Sequence, residues 1–142
     1  MTTHSLDSSI SSIRSLLDTS PIGLAVVSME TKERVFVNQS LIEMFGASVA
    51  EDLLTRPISE SWVDQKRFLE ADKIMSAENN LIDFQAQRYR LDGSEWWVLM
   101  NSHFTEFDGK RARVLWHVDI TEMVEARAAV ETAKIELESR VD

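Results

Sequence analysis

The chain has 142 residues, is 44% hydrophobic, and sets 24 acidic against 15 basic side chains for a formal charge of -9. That length suits one domain with short appendages, and the negative balance excludes nucleic acid or an anionic membrane as partner, since either needs a cationic face. No cysteine is present, which excludes disulfides, thiolate metal sites, cysteine nucleophiles and covalent flavin–cysteine chemistry together.

The opening residues have neither a cationic start nor a continuous apolar run, so no secretory leader is expected. The longest apolar stretch, Ile22 to Val27, falls far short of the ~20 residues of a membrane span. The cytoplasm is the expected compartment. Leu6, Ile10, Ile13 and Leu17 recur at helical spacing and predict an amphipathic helix over 1–20, closed by Thr19–Ser20–Pro21.

From Pro21 to Asp119 strands and helices mix. Ile22–Met29 and Glu33–Val37 predict a hairpin. Asn38 is placed to cap a following helix with Leu41, Ile42, Met44 and Phe45 on its apolar side, and Gly46 suits a left-handed stop. Ser48–Leu54 predicts a short helix, and Val63–Ala77 a longer one that buries Phe68, Ala71, Ile74 and Met75. Leu81–Leu91, Glu95–Phe107 and Arg111–Ile120 predict an antiparallel meander, because Asp92–Gly93 and Asp108–Gly109 supply the positive φ of tight turns.

The tail, 120–142, is helical throughout, with Ile120, Met123, Arg127, Val130, Lys134, Leu137 and Val141 in a heptad seam. A lone helix of this length is marginal in water, so pairing with a second copy is expected.

The order of these elements, with Leu16–Leu17, Ser20–Pro21–Ile22–Gly23, Phe36–Val37–Asn38, Phe45–Gly46, Arg90–Leu91–Asp92–Gly93–Ser94 with Trp97, and Asp119–Ile120–Thr121–Glu122, resembles the PAS (sensory-box) family over Leu16 to Glu122. The resemblance implies an α+β fold: a five-stranded antiparallel sheet in order 2-1-5-4-3 with helices on one face around a core able to hold a small ligand. It implies a sensing and dimerising module, 21–119, between the amphipathic helix and a coiled-coil signalling helix that relays to an effector. No enzyme is expected: no metal-ligating spacing, phosphate-cradling loop or nucleophile elbow occurs.

Strand alternation divides the meander into two faces. Phe84, Ala86, Arg88, Val98, Met100, Ser102, Phe104, Leu115 and His117 form one set; Trp97, Leu99, Val114, Trp116 and Val118 form the other. Light-sensing PAS relatives turn the positions similar to Arg88, Val98 and His117 toward their flavin, so the first set is expected inside. The pocket candidates are Phe68, Phe84, Ala86, Arg88, Val98, Met100, Ser102, Leu115 and His117. Those relatives carry amides at the three positions and a photoactive cysteine, so the resemblance is to the type that lacks this photochemistry, and flavin is disfavoured. Haem is disfavoured too, because haem-binding members use a histidine on the long helix and Val63–Ala77 has none.

Two readings stay open for the inward polar pair. Either Arg88 and His117 orient an anionic or hydrogen-bonding ligand, or Arg88 reaches solvent or an acidic neighbour while His117 donates to a core carbonyl. The apolar outer set and the amphipathic helix predict a dimer interface from Leu6, Ile10, Ile13, Leu17, Trp97, Leu99 and Trp116, continued along Met123, Val130 and Leu137. Asp119, Ile120 and Thr121 are the expected signal relay. The competing classes are a ligand-free dimerisation or protein-interaction module and a cofactor-based redox sensor.

Overall fold

The computed structural model describes residue 12 and residues 15–141. Leu6, Ile10 and Ile13 lie outside the described residues. Residues 15–19 are helical (α1), with Leu16 70% exposed and Leu17 half-buried.

Two short strands follow, β1 (Gly23–Ser28) and β2 (Arg34–Val37). The helical layer comprises α2 (Gln39–Met44), α3 (Glu51–Leu54), a 3-10 turn (Ile58–Ser61) and α4 (Gln65–Ser76). The meander is β3 (Leu81–Tyr89), β4 (Glu95–Phe107) and β5 (Lys110–Asp119), and α5 (Thr121–Val141) leaves it directly. The strands lie in the order β2-β1-β5-β4-β3, every neighbouring pair antiparallel, which is the order the family resemblance implies.

Local chemistry sets the boundaries. Asn38 caps α2 by accepting from Leu41 N at 3.1 Å, and Gly46 ends it at φ +67°. α3 starts at Glu51 rather than Ser48 because Asp52 Oδ2 accepts from Ser48 N (3.0 Å) and Val49 N (3.3 Å), holding both in the turn before it. α4 starts at Gln65 rather than Val63: Val63 N donates to Gln87 O at 3.1 Å, and Asp64 caps Lys66 and Arg67. Asp108 (φ 52°) and Gly109 (φ 74°) make the tight β4–β5 turn.

The core lies between the sheet and the helical layer. Trp96 is fully buried and meets Phe45 edge-on, centroids 5.2 Å apart at 89°, a geometry worth ~0.5–1.5 kcal/mol beyond burial itself. Ala71 is the buried residue of α4; Phe68, Ile74 and Met75 pack only partly against the core.

α2 crosses β1 so closely that Gly23 has no room for a side chain. A Cβ there would sit 2.8 Å from Leu41 Cδ1, 2.9 Å from Met44 Sδ and 3.2 Å from Leu41 Cα. Gly23→Ala is expected to cost ~1–3 kcal/mol by overpacking, read as a lower urea midpoint at unchanged slope. An unchanged midpoint would mean that α2 is free to move away.

Candidate ligand cavity

A cavity of about 250 Å³ opens between the inner sheet face and the helical layer. Ala25 and Val27 of β1, Leu115 of β5 and Met100 of β4 form its sheet wall, with Ile58, Trp62, Phe68 and Met75 on the helical side. Lys32, Asp72 and Ser76 lie on its lining as well, with Lys32 Nζ 3.7 Å from Asp72 Oδ1 and 3.4 Å from Ser76 Oγ.

Of the pocket candidates, Phe68, Arg88, Met100, Leu115 and His117 line this cavity. Phe84, Ala86, Val98 and Ser102 are buried but are not part of the lining. Phe84 packs on Trp62, centroids 6.2 Å apart, beneath the Arg67 guanidinium 3.6 Å from its ring. Ser102 Oγ accepts from Arg113 Nη1 at 3.2 Å. Phe104 is half-buried, with the Arg113 guanidinium 4.2 Å from its ring centre.

Arg88 is 1% exposed and has no carboxylate beside it among the described residues, contrary to the alternative in which it finds solvent or an acid. Its Nε and Nη2 donate to Ser61 Oγ (3.2 and 2.5 Å), and its Nη1 faces Met100 Sδ at 3.6 Å. Burial, and then the charge of Arg34, push its pKa well below the usual arginine value.

His117 takes the other arrangement considered: its Nδ1 bonds the Gly23 carbonyl at 3.2 Å, across the β1–β5 register that pairs those residues. Burial, followed by Arg88 and Arg34, lowers its pKa to about 3. The ring is therefore neutral at physiological pH, with Nδ1–H donating and Nε2 unprotonated.

Two further arginines line the cavity that sequence reasoning missed. Arg34 is 7% exposed, donates only from Nη1 to Leu53 O at 3.3 Å, and is lowered by burial to about 10. Arg113 is 3% exposed and bonds Met75 O (2.9 Å), Asn79 O (2.8 Å) and Ser102 Oγ. Strict alternation back from Val37 turns Val35 inward and Arg34 out. A β-bulge opposite Val26–Val27 reverses this, leaving Val35 43% exposed. Arg113 carried a legible signal, since it lies two residues before Leu115 and four before His117 on the inner face.

The junction to α5 is closely held. Asp119 Oδ1 accepts from Thr121 N (2.9 Å) and Thr121 Oγ1 (2.5 Å). Thr121 Oγ1 in turn accepts from Trp97 N at 3.0 Å, and Ile120, 7% exposed, donates its N–H to Trp97 O at 3.0 Å. The last strand and the helix are thus both bonded to β4.

On the outer face Trp97, Leu99 and Trp116 are half-buried and Val118 is 37% exposed, while Val114 is buried. Along α5, Met123, Val130 and Leu137 are 40%, 68% and 65% exposed. Among the described residues no helix is long and apolar enough to cross a membrane.

An antiparallel sheet in this order, with helices enclosing a cavity and a helix leaving the last strand, defines an α+β architecture. A family model described as PAS domain matches residues 21–122. The chain belongs to the PAS domain family. No curated protein matches it. Among solved structures it is similar to an RNA-binding Light-Oxygen-Voltage receptor (14% identity, TM-score 0.71, 86% of this chain and 36% of that one). It is similar to the PAS domain of an HTR-like protein from Haloarcula marismortui (21%, 0.66, 83% and 97%). A PAS domain from a two-component sensor histidine kinase is also similar (17%, 0.66, 80% and 97%).

Proposed function

We propose that this PAS domain is a non-catalytic, cofactor-free sensor, which reads a small molecule in its cavity and passes the change through α5 of a homodimer to an effector. The observation that carries this is one of connectivity. β5 brings Leu115 and His117 to the cavity wall and, two residues after His117, enters the Asp119–Ile120–Thr121 junction. A ligand that shifts β5 against β4 therefore acts directly on the bonds that aim α5, provided it prefers one arrangement over the other.

The dimer half of the proposal rests on α5. Its exposed apolar residues Met123, Val130 and Leu137 fall seven apart, as a paired helix requires. The similarity to a histidine kinase sensor supports an effector beyond the helix. One observation favours a domain without haem: α4 offers no histidine to a haem iron. The lack of cysteine removes adduct photochemistry.

A single cysteine introduced at Ala133 can be spin-labelled without competition, because the chain has none of its own. Dipolar spectroscopy is expected to give one short interlabel distance in the native protein. Asp119→Ala with Thr121→Val is expected to broaden it while the circular dichroism stays native. Absence of intermolecular coupling would sink the dimer relay; an unchanged distribution in the double variant would sink the junction's role.

A further inference from the structure

We propose that the cavity takes a small organic carboxylate, its head group on Arg34 and Arg88 and its body against the apolar wall; this deepens the sensor reading above and rests on it. Two guanidiniums converge on one ring, their Cζ atoms 5.3 Å (Arg34) and 5.2 Å (Arg88) from the Phe45 centroid, and both line the cavity while being more than nine-tenths buried. Like charges brought together out of water need an anion between or beside them. The described residues pair no anion with either arginine: their ion pairs are Lys32–Asp72, Arg67–Glu70 and Arg111–Glu78, all substantially exposed, and the lining carboxylate Asp72 is held by Lys32.

The hydrogen-bond balance agrees with the charge. A guanidinium has five N–H donors. Arg34 matches one of them, on Leu53 O, and Arg88 directs its own to Ser61 and to a thioether sulfur. Trp62 Nε1 and Arg113 Nε, on two further lining residues, are buried donors without an acceptor. The buried side-chain polar atoms left without a partner among the described residues are thus all donors, and a carboxylate is acceptor-only when ionised. Arginine's planar fork also matches a carboxylate's two oxygens. Both Nη groups of Arg113 are engaged, on Ser102 Oγ and on the carbonyls of Met75 and Asn79, so only its Nε is free and we assign it to the wall rather than the head-group site.

The acid must be organic. Val27, Ile58, Met75, Met100 and Leu115 face the same volume, and a bare oxyanion would leave them uncovered.

Matched pairs test this on the full chain at pH 7.5 by isothermal titration calorimetry: phenylacetate with phenylacetamide, 4-methylpentanoate with 4-methylpentanamide, and inorganic phosphate alone. A carboxylate is expected to bind and its amide to bind on the order of 30-fold more weakly. Arg88→Met should erase that preference, and phosphate should not bind. If Arg88→Met does not fold, Arg34→Gln, which gives up one hydrogen bond to Leu53 O and the contact with the Phe45 ring, makes the same test. Equal affinity within a pair, or a preference surviving in the variants, overturns the carboxylate and leaves a sensor of neutral ligands standing. Phosphate binding as tightly as the acids overturns the organic body. If no probe binds, native mass spectrometry of the fresh protein decides: a bound acid supports the proposal, a bound neutral molecule overturns it, and a bare chain overturns the sensor reading with it.

Discussion

Between pH 6.5 and pH 3 the protein is expected to lose up to roughly 4–5 kcal/mol of folding stability through His117 alone. The imidazole has its ordinary pKa near 6.5 in the unfolded chain and a pKa of about 3 when buried. Within that window the unfolded chain holds a proton that the folded state refuses, so stability rises with pH at ~1.4 kcal/mol per unit and levels off above it. The main cause is desolvation, reinforced by Arg88 and Arg34, against which the bond to Gly23 O is a smaller opposing effect. Urea unfolding of the native protein and of His117→Gln, from pH 8 down to pH 4.5, isolates this group from the surface carboxylates, which titrate in both. The difference between the two curves should slope below pH 6.5 and be flat above. Parallel curves would mean that His117 is not buried against the arginines.

Asn38→Ala is expected to cost ~3–5 kcal/mol, a large part of the ~5–15 kcal/mol that holds a typical domain. The side chain is 1% exposed and uses its full bonding capacity. Its Oδ1 accepts from Leu24 N (2.8 Å) and Leu41 N (3.1 Å); its Nδ2 donates to Leu17 O (2.7 Å) and Ile22 O (3.0 Å). One residue thus ties α1, β1 and α2 together, and truncation strands four backbone groups where water reaches them poorly. Asn38→Asp is no rescue, since it keeps both acceptor bonds but turns a carboxylate toward the carbonyls of Leu17 and Ile22. Thermal melts check both: a fall of ~10–20 °C is expected, and a shift of only a few degrees would show that α1 and β1 hold without it.

Asn38 also shows how far local rules reach. Its position ahead of an apolar helical pattern marked it as a cap, and it caps α2. Its grip on α1 and β1, 14 to 21 residues away in the chain, has no local signature. The strand faces divide in the same way. Period-two alternation grouped Val98, Met100, Leu115 and His117 on one face and the PAS resemblance turned that face inward; extended by one step the alternation reaches Trp96 and Arg113. Alternation fails at the bulges. Near Asp83, at φ 47°, a break in the β3–β4 register lets both Leu81 and Phe84 point inward, and the bulge facing β2 does the same for Arg34.

Element order, hairpin turns, helix caps and the division of the meander into two faces were determined by the sequence alone, because each depends on residues a few positions apart. The cavity and its charge were decided only by tertiary structure. Which side chains line a volume depends on how α4 and the 3-10 turn sit over the sheet. Whether Arg34 and Arg88 have an acidic partner depends on what the whole chain brings within a few ångströms of them. Burial turns those two common surface residues into an unanswered demand for an anion, and burial is a property of the packed chain.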